Sequence, residues 1–252
     1  MLPGYSAFHA SDARVAAERL LQRGGAIRLK RTLCSGGRGQ AVITTIKDVE
    51  QFLVEIREEE LATYGLVLEE NLRDAKTLSI GRINLSGFEL SYYGRQRRTR
   101  DNEGNLAYGG SDLVCVRGDW DAILRAVTEE HVRVAVEQAK SYDDAMREFP
   151  GFMASRRMAQ GFDTEGRWRS GVFESSWRVG GASPAELLAI AGFIDDPEIS
   201  TIEASHYEKF GQFDDPPETS IVHFRGEDPQ AGPLIRYTTI TRRRAPHSDL
   251  AL

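Results

Sequence analysis

Cysteine is scarce. Cys34 and Cys115 are the two thiols in 252 residues, and neither sits in a CxxC pair or beside clustered histidines. That excludes a disulfide scaffold and a thiolate zinc site. Cys34 has no activating base in the surrounding sequence, so it reads as a loop residue rather than a nucleophile. No apolar run approaches the length of a membrane span, and Met1-Leu-Pro-Gly-Tyr-Ser lacks the charged and apolar regions of a signal peptide, which points to the cytoplasm. Positive charge is not in excess either: the net charge of -6 argues against bulk nucleic-acid binding. Internal repeats and low-complexity tracts are missing. What remains is an ordinary globular chain, with 40% hydrophobic residues to build the core of one large domain or two modest ones.

The most telling segment runs Ala26-Ile-Arg-Leu-Lys30-Arg-Thr-Leu-Cys-Ser35-Gly-Gly-Arg-Gly-Gln40-Ala-Val. It predicts a strand ending in a lysine, a glycine-rich hairpin loop and a second strand. Gly36, Gly37 and Gly39 let backbone N–H groups turn toward an anion without interference from Cβ, and Lys30 adds a point charge for a phosphate. No Gly-Lys-Ser/Thr opens a helix after these glycines and no dinucleotide-binding fingerprint is present. A tight hairpin with no ligand is the alternative. Arg95, Arg97, Arg98 and Arg100 follow Tyr92 and Tyr93 and form either a solvated strand edge or a local anion site.

The apolar spacing predicts a helix over 12–22, strands at 27–30 and after the glycine loop, a helix over 46–57 and a buried strand over 65–70. Strands follow at 78–85, 88–93 and 113–116, then a helical segment over 120–148 broken near Ser141. A hairpin over 158–174 turns at Asp163-Thr-Glu-Gly166, and a helix over 184–194 starts on Pro184. Two strands at 220–224 and 234–240 close the chain, and the end from 241 onward is expected to fray.

Three stations in this order resemble the ATP-grasp superfamily: Lys30 with Ser35-Gly-Gly-Arg-Gly39, the hinge Val67-Leu-Glu-Glu-Asn71, and Gly171-Val-Phe-Glu174-Ser-Ser-Trp-Arg178-Val-Gly-Gly-Ala-Ser. More narrowly, Leu-Lys with Gly-Gly-Arg-Gly-Gln, Tyr108-Gly-Gly-Ser-Asp-Leu and Ser-Trp-Arg-Val-Gly-Gly-Ala-Ser resemble DUF3182, an ATP-grasp-like family of unassigned function. The resemblance implies an α+β fold with antiparallel sheets in two lobes enclosing a nucleotide cleft. It divides the chain into a small lobe (1–75), a large lobe (76–195) and a C-terminal β extension (196–252).

The resemblance further implies ATP and magnesium as cofactors, and a ligase that forms an acyl phosphate from a small-molecule carboxylate and joins it to an amine or other nucleophile. Lys30, Ser35, Gly36, Gly37 and Gly39 would hold the phosphates, and Glu69, Glu70, Asn71 and Leu72 the adenine, with Leu66, Val67 and Leu68 walling a purine slot. Glu174, Ser176 and Asp163 would hold magnesium. Arg178 and Lys30 would act on the transferred phosphoryl group. Arg97, Arg98, Arg100, Ser111 and Asp112 are the candidates for the substrate side. A salt bridge between Glu174 and Arg178 is the structural alternative.

The chain departs from the family pattern in two ways. Ser176 stands where an asparagine is expected, and the strand before Glu174 shows no obvious second carboxylate, with Gln160 at that position. The family's N-terminal α/β domain has no counterpart ahead of Leu2, so apolar surface near Leu2, Tyr5 and Phe8 is expected to be covered by self-association or by a separate polypeptide. Two rival readings follow, a catalytically inactive nucleotide-binding module and an RNA-binding surface using Arg95 to Arg100 with Tyr92 and Tyr93 as stacking platforms.

Overall fold

The computed structural model describes residues 2–33, 39–146, 148, 153–176 and 178–245. The chain divides into two units, Met1–Lys76 with Ala159–Gly171, and Thr77–Met158 with Val172–Leu252.

In unit 1 the elements are β1 (Gly4–Ala7), α1 (Ala10–Leu21), β2 (Ile27–Arg31), β3 (Gln40–Ile43), α2 (Ile46–Val54), α3 (Glu58–Tyr64) and β4 (Leu66–Glu70). The strands form an antiparallel sheet in the order β1-β4-β2-β3. Alternation decides its faces. Ile27, Leu29, Leu66 and Leu68 point into a core with Ala13, Ala17 and Leu20 of α1 and Val49 and Leu53 of α2, while Arg28, Lys30, Val67 and Glu69 share the opposite face.

The single helix anticipated over 46–57 ends at Val54, and α3 begins at Glu58, whose acidic first turn suits a helix N-terminus. Leu2 is buried and Tyr5 packs on the core, so of the three apolar residues expected to be uncovered only Phe8 is exposed.

Unit 2 and the hairpin share β5 (Arg73–Leu85), β6 (Phe88–Arg100), β7 (Leu106–Arg117), α4 (Trp120–Ala126), α5 (Glu130–Ala145), β8 (Met153–Phe162), β9 (Trp168–Ser176), α6 (Ser183–Asp195), β10 (Thr201–Phe210), β11 (Ile221–Asp228) and β12 (Gly232–Arg244). The sheet order is β11-β12-β10-β7-β6-β5-β8-β9. On one face α6 packs Ala189, Ile190 and Phe193 on Leu90, Tyr92, Leu113 and Cys115. On the other, α4 and α5 pack Ile123, Val132 and Val136 on Leu78, Ile80 and Val116.

The helical break falls at Val127, not near Ser141. Val127 turns extended and buries its side chain, and Arg133 donates to the carbonyls of Leu124 (3.0 Å) and Val127 (2.7 Å), satisfying the end of α4. Strand β10, unforeseen because its sequence is rich in polar residues, lies between β7 and β12 and places β10–β12 in the same sheet as β5–β7. Residues 241–244 do not fray: they complete β12, with Arg244 opposite Thr201 and 2.8 Å from Glu203. Residues 246–252 lie outside the described residues.

Candidate functional site

Lys30 sits at the end of β2, and its Nζ lies 2.5 Å from Glu69 Oε1, with both side chains largely buried. Burial raises the Glu69 carboxyl above its usual range, against the opposing pull of Lys30 and then Arg28. Beside this pair Arg28 donates to Asn71 Oδ1 (2.8 Å) and Gln40 Oε1 (3.3 Å). One face of the sheet is thus a polar platform of two cations, one carboxylate and two amides. Of the glycine loop, Gly39 is described, at φ 66°, and its carbonyl accepts from the Arg31 amide; Ser35, Gly36 and Gly37 lie outside the described residues.

The hinge differs from expectation in two respects. Leu66 and Leu68 are fully buried in the core, so of the three residues expected to wall a purine slot only Val67 is on the platform face. The amides of Glu70 and Asn71 are taken by the carbonyls of Pro3 and Ala26, which removes them as donors to a base edge. Leu72 is buried directly after them.

Asp163 is a structural residue. Its Oδ1 accepts from the amides of Glu165 (3.0 Å) and Arg167 (2.9 Å), and its Oδ2 from Nε of Arg167 (2.9 Å) and of Arg169 (2.8 Å). Burial would push the carboxyl up, but the Arg167 backbone and the two guanidinium groups outweigh it and hold the pKa at about 2. Four donors around two oxygens leave no room for a cation, which corrects its assignment as a magnesium ligand.

Glu174 pairs with Arg157 of β8 at 3.2 Å rather than with Arg178. The Oε2 that faces Arg157 and the Arg157 Nε are both buried and make no hydrogen bond among the described residues. Arg178 is exposed and donates to the neighbouring Val179 carbonyl (3.0 Å), while the Ser176 hydroxyl donates to the Arg178 carbonyl (3.5 Å). The turn that follows is held from two sides. The Gly180 amide donates to Ser183 Oγ (3.0 Å), and Gly181 lies so close to Tyr108 that a Cβ there would come within 2.8 Å of its ring. Tyr108 shares a hydrogen bond with Ser111 (2.8 Å), and burial lifts its phenol to about 12. Arg157 had no motif to mark it, whereas Tyr108 opens the Tyr-Gly-Gly-Ser-Asp-Leu motif.

The five substrate-side candidates do not converge. Asp112 and Ser111 are adjacent on β7 and point to opposite faces. Asp112 faces α5, where it accepts from Arg97 (2.7 Å) and Ser205 (2.7 Å), whereas Ser111 is bound to Tyr108. A bulge between Arg97 and Arg98 separates those two, and Arg100 donates to the Gly104 carbonyl (2.6 Å). Of the two tyrosines expected as a stacking platform for RNA, Tyr92 is fully buried and is removed from it, while Tyr93 is partly buried.

Among the described residues no three or more His, Cys, Asp or Glu side chains gather as a metal site, and no helix is long and apolar enough to cross a membrane. The antiparallel α+β architecture is that of the ATP-grasp enzymes. By sequence the chain belongs to DUF3182, a protein family of unknown function whose model matches residues 1–238.

Similar solved structures include biotin carboxylase from Campylobacter jejuni in a β-γ-ATP complex (TM-score 0.53, 13% identity, 97% of this chain and 59% of that one). The biotin carboxylase domain of the Hydrogenobacter thermophilus 2-oxoglutarate carboxylase, solved with MgADP, ADP and bicarbonate, is also similar (0.54, 13%, 95% and 58%). A third is N5-carboxyaminoimidazole synthetase from Staphylococcus aureus (0.50, 15%, 96% and 63%). The chain therefore spans about three fifths of the length of these proteins. No curated protein matches it in sequence.

Proposed function

We propose that the chain binds ATP and uses it to activate a small-molecule carboxylate for transfer to an amine or other nucleophile. The observation that carries this reading is Lys30, anchored by Glu69 on the polar face of the unit 1 sheet at the edge of the glycine loop, within an ATP-grasp fold. A lysine so placed offsets phosphate charge where the oxygens arrive and is held in one orientation beforehand.

In the proposed reaction a carboxylate oxygen attacks the γ-phosphorus, the bond to the β–γ bridging oxygen breaks, and ADP leaves. The nucleophile then attacks the acyl carbon, loses its proton to solvent, and phosphate departs with the electron pair of the C–O bond. Arg178, exposed and not paired with a carboxylate among the described residues, is positioned by the turn at Gly180 and is our proposed contact for the moving phosphoryl group.

Magnesium arriving on the nucleotide would neutralise phosphate charge. Of the residues expected to hold it, Glu174 is the carboxylate that fits, provided magnesium displaces the Arg157 guanidinium 3.2 Å from its Oε2, since a magnesium ion needs only one or two protein carboxylates beside phosphates and waters. Ser176 keeps free lone pairs while donating to Arg178, and Asp163 does not fit.

A second reading, an inactive nucleotide-binding module, is favoured by one feature: Arg157 already supplies a cation to Glu174. Titration calorimetry with ATP, with and without magnesium, separates the two. Wild type should bind about tenfold more tightly with magnesium, and Glu174→Gln should fold normally and lose that difference. Magnesium-independent binding in the wild type, with no ADP released across a panel of carboxylates and amines, would establish the inactive module instead.

A further inference from the structure

Unit 2 holds a cavity of about 510 Å³ on the α5 face of its sheet. Its polar ladder crosses the strands in register, with Arg95 of β6 opposite Asp112 of β7, and Asp112 opposite Ser205 of β10. Asp112 Oδ1 is taken by Arg97 Nε (3.0 Å), Arg97 Nη2 (2.7 Å) and Ser205 Oγ (2.7 Å). Arg97 also lies flat on Tyr207, 4.6 Å from the ring centroid, and Tyr207 stacks on Tyr237 at 4.7 Å. The neighbouring guanidinium, Arg95, is exposed and has no hydrogen-bond or ion-pair partner among the described residues. Leu78, Val114 and Val132 add apolar surface to the lining, and Glu129 is also part of it.

We propose that this cavity binds a small organic carboxylate with an apolar body, anchored by Arg95. A planar guanidinium matches a carboxylate through paired N–H···O bonds. Leu78, Val114 and Val132 give the body of the ligand an apolar surface to cover. With Arg97 neutralised by Asp112 and with Glu129 in the lining, a multiply charged anion such as phosphate is disfavoured. The same chemistry belongs to a carboxylic acid and to an apolar amino acid, whose ammonium group would face Glu129. The lining contains none of Lys30, Glu174 and Arg178, so the cavity is separate from the residues proposed for ATP.

Calorimetry without nucleotide tests this with 3-phenylpropionate, 4-methylpentanoate, phenylalanine, 3-phenylpropanamide and inorganic phosphate. At least one carboxylate should bind, the amide and phosphate should not, and Arg95→Gln, which removes no hydrogen bond or ion pair among the described residues, should weaken binding at least tenfold. Val114→Phe, which narrows the cavity, should weaken it as well. Phenylalanine binding more tightly than 3-phenylpropionate identifies the amino acid as the ligand type, and the reverse identifies the carboxylic acid. Silence from all carboxylates, equal affinity in wild type and Arg95→Gln, or phosphate binding as tightly as the carboxylates overturns the proposal. Because ATP is absent throughout, failure here leaves the Lys30 reading untouched.

Discussion

Lys30→Met should destabilise the protein by about 3 kcal/mol, because removing one partner of a buried ion pair strands the other. Glu69 is 6% exposed and would be left facing Arg28 alone, which is already committed to Asn71 and Gln40. The double variant Lys30→Met with Glu69→Met should recover most of that stability, since an apolar pair of similar volume replaces a charged pair whose desolvation was never fully offset. Nucleotide affinity should behave differently. If Lys30 contacts phosphate, both the single and the double variant should lose about 1.5–3 kcal/mol of ATP binding, roughly ten- to a hundredfold. Urea denaturation and calorimetry on the same three proteins separate the two effects. A double variant that regains both stability and ATP affinity would mean that Lys30 serves the sheet alone.

Acid should weaken unit 2 through His206. This side chain is 4% exposed, its Nδ1 is 3.0 Å from Thr238 Oγ1, and the same oxygen is 2.7 Å from His223 Nε2. Burial first, and then the charges of His223 and Arg236, hold the His206 pKa down at about 4, against an ordinary value of 6.5. Between those two values the unfolded chain binds a proton that the folded chain refuses. The contribution to stability is therefore complete above pH 6.5, falls as the pH drops, and is spent near pH 4, a loss of about 3 kcal/mol. Carboxylates titrate over the same range, so the measurement is the difference between wild type and His206→Asn in urea midpoints at pH 7 and pH 4. Wild type should lose about 3 kcal/mol more than the variant. Parallel pH profiles would show that His206 is protonated in the fold without penalty.

The elements legible in the sequence were those with a local signature. The alternation of Ile27 and Leu29 with Arg28 and Lys30 marked β2, and Pro184 at the start of an apolar run marked α6. Strand β10 was missed because Glu203, Ser205, His206 and Glu208 disguise it. Only its position between β7 and β12 explains why His206 and Ser205 are buried. The break at Val127 was equally hidden, since the helical period continues through it and the stop comes from Arg133 reaching back to two carbonyls.

The candidate site divides along the same line. Lys30, the glycine loop and the order of the three motifs were readable because each is a local pattern, carried by neighbouring residues. The partners of the charged side chains were not. Glu69 for Lys30 and Arg157 for Glu174 come from strands brought together by sheet register, while the two arginines that enclose Asp163 are folded onto it by the hairpin turn. Sequence spacing alone determined the family and the strand lysine. Tertiary structure decided which carboxylates are committed to protein cations and left Arg95 without a hydrogen-bond or ion-pair partner among the described residues, because a charge is satisfied through space and strand pairing sets what lies within reach.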